Sequence, residues 1–332
     1  MNLRATARPR TIAMVLVKLA LSAGLMSFLF TRIPFGSLSA TLRHAHPMGL
    51  AAACLLMLGS NVLGSYQWAR LLAAVGIRIP FWKVCAYFHV GLFFNNFLPA
   101  NIGGDIARVF DASRHGPNRA AVFSTVVMDR VIGTVALAGL ALLTTLPAID
   151  RFHLTVIYLL LVAFFGFSVM LVWAVFHPRL LPGLEGALQR VGLGALKPHL
   201  EELASRFKSF RERPGLFFAL LGVAAIVQLS RIGVHVLVAR ALDIRTPIHY
   251  FFLFVPLLAV IVTLPISFNG IGVREGAGIL LFGLAGVDRT RAFSLQFTTY
   301  LVAVAVSLLG GLVFLARMPR RAAEARQSRR TS

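Results

Sequence analysis

Residues 96–108 read NFLPANIGGDIAR and follow directly on the apolar run 84–94. The stretch brings together a proline, a Gly-Gly pair and two opposite charges, Asp105 and Arg108. Proline and glycine interrupt helices, and a charged side chain at membrane depth costs several kcal/mol unless it is paired or used. The stretch therefore predicts a broken apolar helix at a place where charge has a role.

The surrounding composition is that of a membrane protein. Of the 332 residues, 58% are hydrophobic and 14% are charged, whereas soluble domains usually carry about 25% charged residues. Several apolar runs exceed the roughly 18 residues that a spanning helix needs. The sequence predicts an all-α polytopic membrane protein with about six full spans, at 11–30, 48–70, 120–146, 153–176, 214–239 and 291–316.

The net charge of +21 does not indicate nucleic-acid binding. Lys and Arg lie mostly in short polar segments between apolar runs, where they set membrane orientation and contact anionic lipid. The nine histidines show no spacing typical of a metal site, and Cys54 and Cys85 form no CxxC motif. We therefore expect no nucleic-acid partner, no metal and no cofactor.

A second interrupted segment, LPISFNGIGVREGAG, occupies residues 264–278 after the apolar run 248–265. A gapless alignment of 98–108 with 264–274 matches four positions: Leu98/Leu264, Pro99/Pro265, Gly104/Gly270 and Arg108/Arg274. Paired segments interrupted by Gly and Pro in two halves of a chain indicate a transporter-type binding site.

Loop charges test this arrangement, because the cytoplasmic side of a membrane protein carries the Lys/Arg excess. The chain has three basic segments: the N-terminus, the loop 177–213 and the tail after residue 316. All three become cytoplasmic if both interrupted segments are re-entrant hairpins that enter from opposite faces, which also makes the halves inverted repeats. The predicted organisation is a basic N-terminus 1–10, one integral domain 11–316 with hairpins 84–112 and 248–286, and a basic tail 317–332.

The loop 177–213 contains the stretch HLEELASRFKSFRER, residues 199–213. Leu200, Leu203, Phe207 and Phe210 recur at helical spacing with charges between them. This pattern predicts an amphipathic helix on the inner leaflet, with a partner-binding helix as the alternative.

Charged residues in or beside apolar segments are the candidate site. Asp105 and Arg108 are three residues apart and share a helix face. Asp129–Arg130 and Arg274–Glu275 are sequence neighbours that diverge by about 100° on a helix, so each must reach another segment. Gln228, Arg231 and His235 share one face of another helix. Simple clamps between helices, and glycines that only permit close packing, are the structural alternative.

The two predicted half-helices would point their positive N-terminal ends toward the membrane midplane, which favours an anion there. Arginine adds planar, forked donors suited to phosphate. A positive cavity open sideways between apolar helices suits a phospholipid headgroup whose tails stay in the lipid.

Three motifs resemble the lysylphosphatidylglycerol synthase transmembrane-region family, which includes the flippase portion of the multiple peptide resistance factor. They are NNFLPANIGGDIARVFDA (95–112), MDRVIGT (128–134) and SFNGIGVREGAG (267–278), and the resemblance covers about residues 11–316. It implies two re-entrant elements and movement of polar lipids between leaflets. Relatives with an added aminoacyl-transferase or glycosyltransferase domain differ from this chain, in which only a short basic tail follows Arg317, so lipid aminoacylation is not expected.

The expected function is translocation of a polar or anionic lipid, or a lipid-linked precursor, across the cytoplasmic membrane, without enzymatic activity. The expected partners are membrane lipids and lipid-biosynthesis enzymes. The alternatives are an integral-membrane transferase with Asp105 or Glu275 as general base, and a non-catalytic subunit of a biosynthetic complex. Predicted substrate-binding residues are Arg108, Arg274, Arg231, Asp105, Glu275, Asp129, Arg130, His235 and Asn269; the hairpin backbone positions are Pro99, Gly103, Gly104, Pro265, Gly270 and Gly272.

Overall fold

The computed structural model describes Gly24, Ser27, Ser39, Thr41, 43–97, 103–116, 119–152, 155–176, Phe210, 212–263 and 270–328. Over these residues the fold is all-α, as predicted. The helices are α1 (Pro47–Ala74), α2 (Phe81–Phe97), α3 (Gly103–Ala112), α4 (Arg119–Thr145), α5 (Ile149–Phe152), α6 (Thr155–Phe176), α7 (Pro214–Ala241), α8 (Ile248–Thr263), α9 (Val273–Gly283) and α10 (Arg289–Ser328), with 3₁₀ turns at Ser113–His115 and Leu146–Ala148.

Four of the described helices are long and apolar enough to cross a membrane. They are Pro47–Ala74, Arg119–Ala148, Pro214–Ala241 and Arg289–Arg317, and they coincide with four of the six predicted spans. The predicted span 153–176 corresponds to α6, whose apolar part Thr155–Met170 is shorter. The predicted span 11–30 lies outside the described residues, apart from Gly24 and Ser27.

Helix ends follow from local sequence. Pro47 opens α1, where its missing N–H has no intrahelical partner to lose. Gly76, at φ 81°, lets the Ile77 amide donate back to the Leu72 carbonyl at 3.0 Å and close that helix. Gly286, at φ 79°, closes α9 in the same way, with the Val287 amide donating to the Phe282 carbonyl.

Helices α2 and α3 fold back on each other. Near the start of α2 and the end of α3, the Tyr87 and His115 rings are 5.9 Å apart. In the same region, a Cβ on Gly116 would lie 2.9 Å from Ile77 Cδ1. At the other end, the Gly104 amide donates to Asn95 Oδ1 at 2.9 Å. The chain therefore leaves α3 beside the point where it began α2.

Helices α8 and α9 form a second antiparallel pair. The Phe282 ring, near the end of α9, is 5.3 Å from Phe251 and 5.4 Å from Phe254, near the start of α8. Gly270, just before α9, lies against Val262 near the end of α8. In each predicted interrupted segment, the described helix that follows residues 98–102 or 264–269 thus packs back against the described helix that precedes them.

The helices divide into two compact units. The first contains Met1–Leu58, His89–Ile106 and Arg231–Ser332. Within it, the His46 amide donates to the Ala241 carbonyl at 2.8 Å, and Gly310 of α10 packs directly against the His89 carbonyl of α2. A glycine is required at 310, because a Cβ would overlap the backbone of α2.

The second unit contains Gly59–Phe88 and Ala107–Ser230. Its core joins the end of α1, the middle of α4 and the start of α7 through Leu71, Met128, Ile132 and Leu220. Phe210 of the loop 177–213 is 3% exposed and packs in this same core. The last part of that loop is therefore anchored in protein at Phe210; the rest of the predicted amphipathic helix 199–213 lies outside the described residues, except Glu212 and Arg213.

Candidate functional site

Close backbone contact fixes the start of α3. A Cβ on Gly104 would overlap the Gly91 carbonyl of α2, so only glycine allows the two helices to approach this closely. The Asn95 side chain accepts the Gly104 N–H, which has no partner inside the helix. Asp105 follows in the first turn, half-buried, where a carboxylate suits the positive end of the helix.

The start of α9 depends on two glycines with positive φ, Gly270 at 74° and Gly272 at 82°. Glu275 then turns back on the helix end, and its Oε2 accepts the Gly272 N–H at 2.7 Å. The carboxylate is 1% exposed. The positive end of α9 is thus partly neutralised by its own glutamate, so an anion at this place depends on Arg274 more than on the helix end.

The first residues of α3 and α9 show which positions of the two interrupted segments correspond to each other. Asp105 is the third residue of α3 and Glu275 is the third residue of α9. Arg108 is the sixth residue of its helix, whereas Arg274 is the second. The gapless alignment paired the two arginines, but they do not occupy equivalent helix positions; the acids do.

Arg108 belongs to a buried ion pair in the second unit. Its Nη1 lies 3.1 Å from Asp129 Oδ2 on α4, and the side chains are 5% and 12% exposed. Gln67 of α1 donates to the other carboxylate oxygen at 2.8 Å. The prediction that Asp129 reaches another segment is confirmed.

Two aromatic rings flank the Arg108 guanidinium. Its Cζ is 5.1 Å from the Trp68 ring centroid and 5.0 Å from that of Phe88, within cation–π range. Trp68 is fully buried and donates to Thr125 Oγ1 at 3.0 Å. We call Arg108, Asp129, Gln67, Trp68 and Phe88 the Arg108 group; in this arrangement its charges compensate each other.

Arg274 anchors a different group in the first unit. Its Cζ lies 4.5 Å from the Tyr300 ring centroid on α10, and the side chain is half-buried. Its Nη2 is 3.2 Å from where a Cβ on Gly270 would lie. The guanidinium therefore lies between the turn before α9 and an aromatic ring, with part of its surface accessible.

His235 of α7 belongs to the same group. Its Nδ1 lies 2.9 Å from the Arg231 carbonyl, which can only accept, so Nδ1 carries the proton. The ring lies within electrostatic range of both Arg274 and Arg231. We call Arg274, Glu275, His235, Tyr300 and the nearby Gln296 the Arg274 group.

The remaining predicted residues have different environments. Arg130 and Arg231 are exposed on the surfaces of α4 and α7. Gln228, predicted to share a face with Arg231, is buried and donates to the Gly133 carbonyl at 3.3 Å. Gly103 opens α3. Pro99, Pro265 and Asn269 lie outside the described residues.

Several contributing residues were not singled out from sequence. Gln67 and Gln296 are polar residues inside apolar helices, and that property alone could have identified them. Trp68, Phe88 and Tyr300 carry no such signal, because aromatic residues in membrane helices usually pack against apolar neighbours. Across the described ranges, no three His, Cys, Asp or Glu side chains gather closely enough to hold a metal ion.

Two interrupted helix pairs, with a charged group beside each break, suggest comparison with known families. Residues 15–311 match the family described as Lysylphosphatidylglycerol synthase TM region. The chain belongs to this family. It is accordingly a membrane protein of lipid-related processes. No curated protein matches the chain.

Proposed function

We propose that this family member translocates a polar or anionic lipid, or a lipid-linked precursor, between the leaflets of the cytoplasmic membrane. The observation that carries the proposal is Arg274: a half-buried guanidinium on the face of Tyr300, at the start of an interrupted helix in a membrane protein. Arginine binds phosphate through forked donors, and aromatic stacking holds its plane in place.

The proposed topology has about six spans and two re-entrant hairpins that enter from opposite faces as inverted repeats, with both termini cytoplasmic. Antiparallel packing supports it. Gly104 at the start of α3 lies against Gly91 of α2, and Phe282 of α9 lies 5.3 Å from Phe251 of α8. In each pair the second helix therefore runs back along the first, as a re-entrant hairpin requires.

In this proposal the two charged groups have different roles. Arg274 binds the anionic headgroup, while Glu275 caps α9 and keeps a counter-charge beside it. Arg108 is held by Asp129 and exchanges this partner when a headgroup or another anion approaches. Asp105 provides a counter-charge for the arginines when no headgroup is bound, and the exposed Arg130 and Arg231 attract the anionic headgroup. Lipid-biosynthesis enzymes are proposed as partners.

Reconstituted vesicles test the function. Purified protein should accelerate movement of headgroup-labelled phosphatidylglycerol to the opposite leaflet, as followed by loss of fluorescence to an impermeant quencher. The recovered lipid should keep its mass, because we propose no chemical step. Movement equal to that in protein-free vesicles contradicts translocation of this anionic lipid. A new product mass with a candidate donor would favour the transferase instead.

A further inference from the structure

Two arginines share one exposed aromatic ring where the chain passes from α3 to α4. The Arg114 Cζ lies 5.1 Å from the centroid of the Phe110 ring, and the Arg119 Cζ lies 6.0 Å from the same centroid. Both arginines are exposed, and Phe110 is 49% exposed. Each guanidinium is attracted to the ring, but the two like charges repel each other. The arrangement therefore favours an anion that contacts both arginines.

No counter-charge for this pair is found in the described part of the chain. Within those ranges neither Arg114 nor Arg119 forms an ion pair. Asp111, the nearest acid in sequence, is buried, with 3% of its surface exposed. Of the residues between the two arginines, the undescribed Pro117 and Asn118 carry no charge. The pair thus presents two positive charges that an external anion can compensate.

The surroundings of the pair are those of a membrane surface. Arg119 is the first residue of α4, which is long and apolar enough to cross a membrane. The start of α2 packs in one apolar core with the end of α3, through Val84 and Ala112. There Trp82 is 67% exposed, and the Lys83 Nζ lies 5.4 Å from the centroid of its ring. Exposed aromatic rings beside cations are typical of the level at which lipid phosphates lie.

We propose that Arg114 and Arg119 form a binding site for a lipid with a phosphomonoester headgroup. Charge selects this class, because a phosphomonoester carries nearly two negative charges above its second pKa of about 6, whereas a phosphodiester carries one. Two guanidiniums can donate forked hydrogen bonds to the three terminal oxygens of the phosphomonoester. The site includes neither Arg274 nor Arg108, so the inference does not depend on the proposed translocation.

Lipid retention in nanodiscs tests this site. Phosphatidylcholine discs at pH 8 would contain equal small fractions of phosphatidic acid, a phosphomonoester, and phosphatidylglycerol, a phosphodiester. Native mass spectrometry then measures how much of each lipid stays on the protein. Arg114→Gln and Arg119→Gln should each lower retention of phosphatidic acid about fivefold or more and leave retention of phosphatidylglycerol unchanged. Unchanged retention of phosphatidic acid in either variant would overturn the proposal, and so would an equal loss of both lipids.

The matched control is Arg70→Gln, which removes another exposed arginine of the same unit from an aromatic ring. The Arg70 Cζ lies 6.0 Å from the Tyr66 centroid, and no second arginine is found over that ring among the described residues. The control should retain both lipids as the wild-type protein does. A loss of phosphatidic acid as large as in the test variants would overturn the site, because surface charge alone would explain it.

Two further measurements separate the site from instability and from a soluble ligand. Both test variants should unfold at the wild-type temperature, because the replaced side chains are exposed. Lower unfolding temperatures in both variants, together with lost retention, would overturn the site. Soluble glycerol 3-phosphate should leave phosphatidic acid bound to the wild-type protein. Complete displacement of the lipid by this soluble phosphomonoester would overturn its assignment as the ligand.

Discussion

The buried pair Arg108–Asp129 is the clearest single interaction among the charged residues. Its two charges lie in a low-dielectric interior. Removing one of them leaves the other buried without a counter-charge, and the cost of its lost hydration is then no longer compensated. Gln67 holds the second carboxylate oxygen, and two aromatic rings flank the guanidinium. The pair stabilises one arrangement of α1, α3 and α4 in the second unit.

Asp129→Ala should therefore lower the free energy of unfolding by about 3–5 kcal/mol. The double variant Arg108→Met, Asp129→Leu should lose less than the single one, since no charge is left buried. Arg245→Ala is the control, because its pair with Asp243 is exposed and contributes at most about 1 kcal/mol. Denaturant titration in detergent measures all three, and a larger loss in the double variant would contradict this account.

At the residue scale, sequence reasoning identified charges and glycines better than their partners. Intramembrane charges are conspicuous, so Arg108, Asp129 and Arg274 could be selected without a structure. Spacing along one helix placed Asp105 and Arg108 on a shared face, but it could not have predicted the pair of Arg108 with Asp129 of α4, because helix spacing does not specify a contact between helices. The stacking of Arg274 on Tyr300 is also a contact between two helices, so spacing along one helix could not have predicted it.

Interrupted helices are the elements that position both groups. Gly278 and Gly276 lie two residues apart on α9 but have different surroundings: a Cβ at 278 would overlap Gln296 of α10, whereas a Cβ at 276 meets nothing within 4 Å. The contact of α9 with α10 therefore depends on one of these glycines only.

Gly278→Ala should destabilise the protein by about 1–3 kcal/mol through overpacking. Gly276→Ala should be neutral or stabilising by up to about 1 kcal/mol, because alanine favours a helix interior. Unfolding temperatures of the two variants provide the comparison. Equal losses at both positions would show that α9 does not pack on α10 as described.

Pro and Gly predicted the approximate start of each returning helix. Which residues of the two segments occupy equivalent helix positions was not predictable. Composition cannot distinguish a glycine inside a helix, such as Gly104, from one in the preceding turn, such as Gly270, and this is why the gapless alignment paired Arg108 with Arg274 at inequivalent positions.

For the molecule as a whole, hydropathy predicted the all-α class and four long helices, because apolar length is a property of sequence alone. The amphipathic pattern of 199–213 predicts a helix on the inner leaflet; of the described residues in this stretch, Phe210 packs inside the second unit. An apolar helix face suits either lipid or protein, so the pattern alone could not decide between them.

The proposed topology predicts which sides of the membrane four exposed positions face. In a background without Cys54 and Cys85, Arg78→Cys and Arg114→Cys flank the first helix pair and should react with an impermeant maleimide only from the cytoplasmic side. Arg245→Cys and Asp288→Cys flank the second pair and should react only from outside. Labelling of 78 and 114 from opposite sides would rule out the first re-entrant hairpin.

The central claim is that Arg274 binds the headgroup of a lipid that the protein moves between leaflets. Its most direct test is the rate of phosphatidylglycerol movement in vesicles that contain Arg274→Met. The matched control is Arg291→Met, which removes an exposed arginine of the neighbouring helix α10 that pairs with Asp288 just before that helix. We expect the first variant to lose at least about tenfold in rate, which corresponds to roughly 1.4 kcal/mol of activation free energy, and the control to match the wild-type protein. Wild-type rates in a folded Arg274→Met protein would contradict the account.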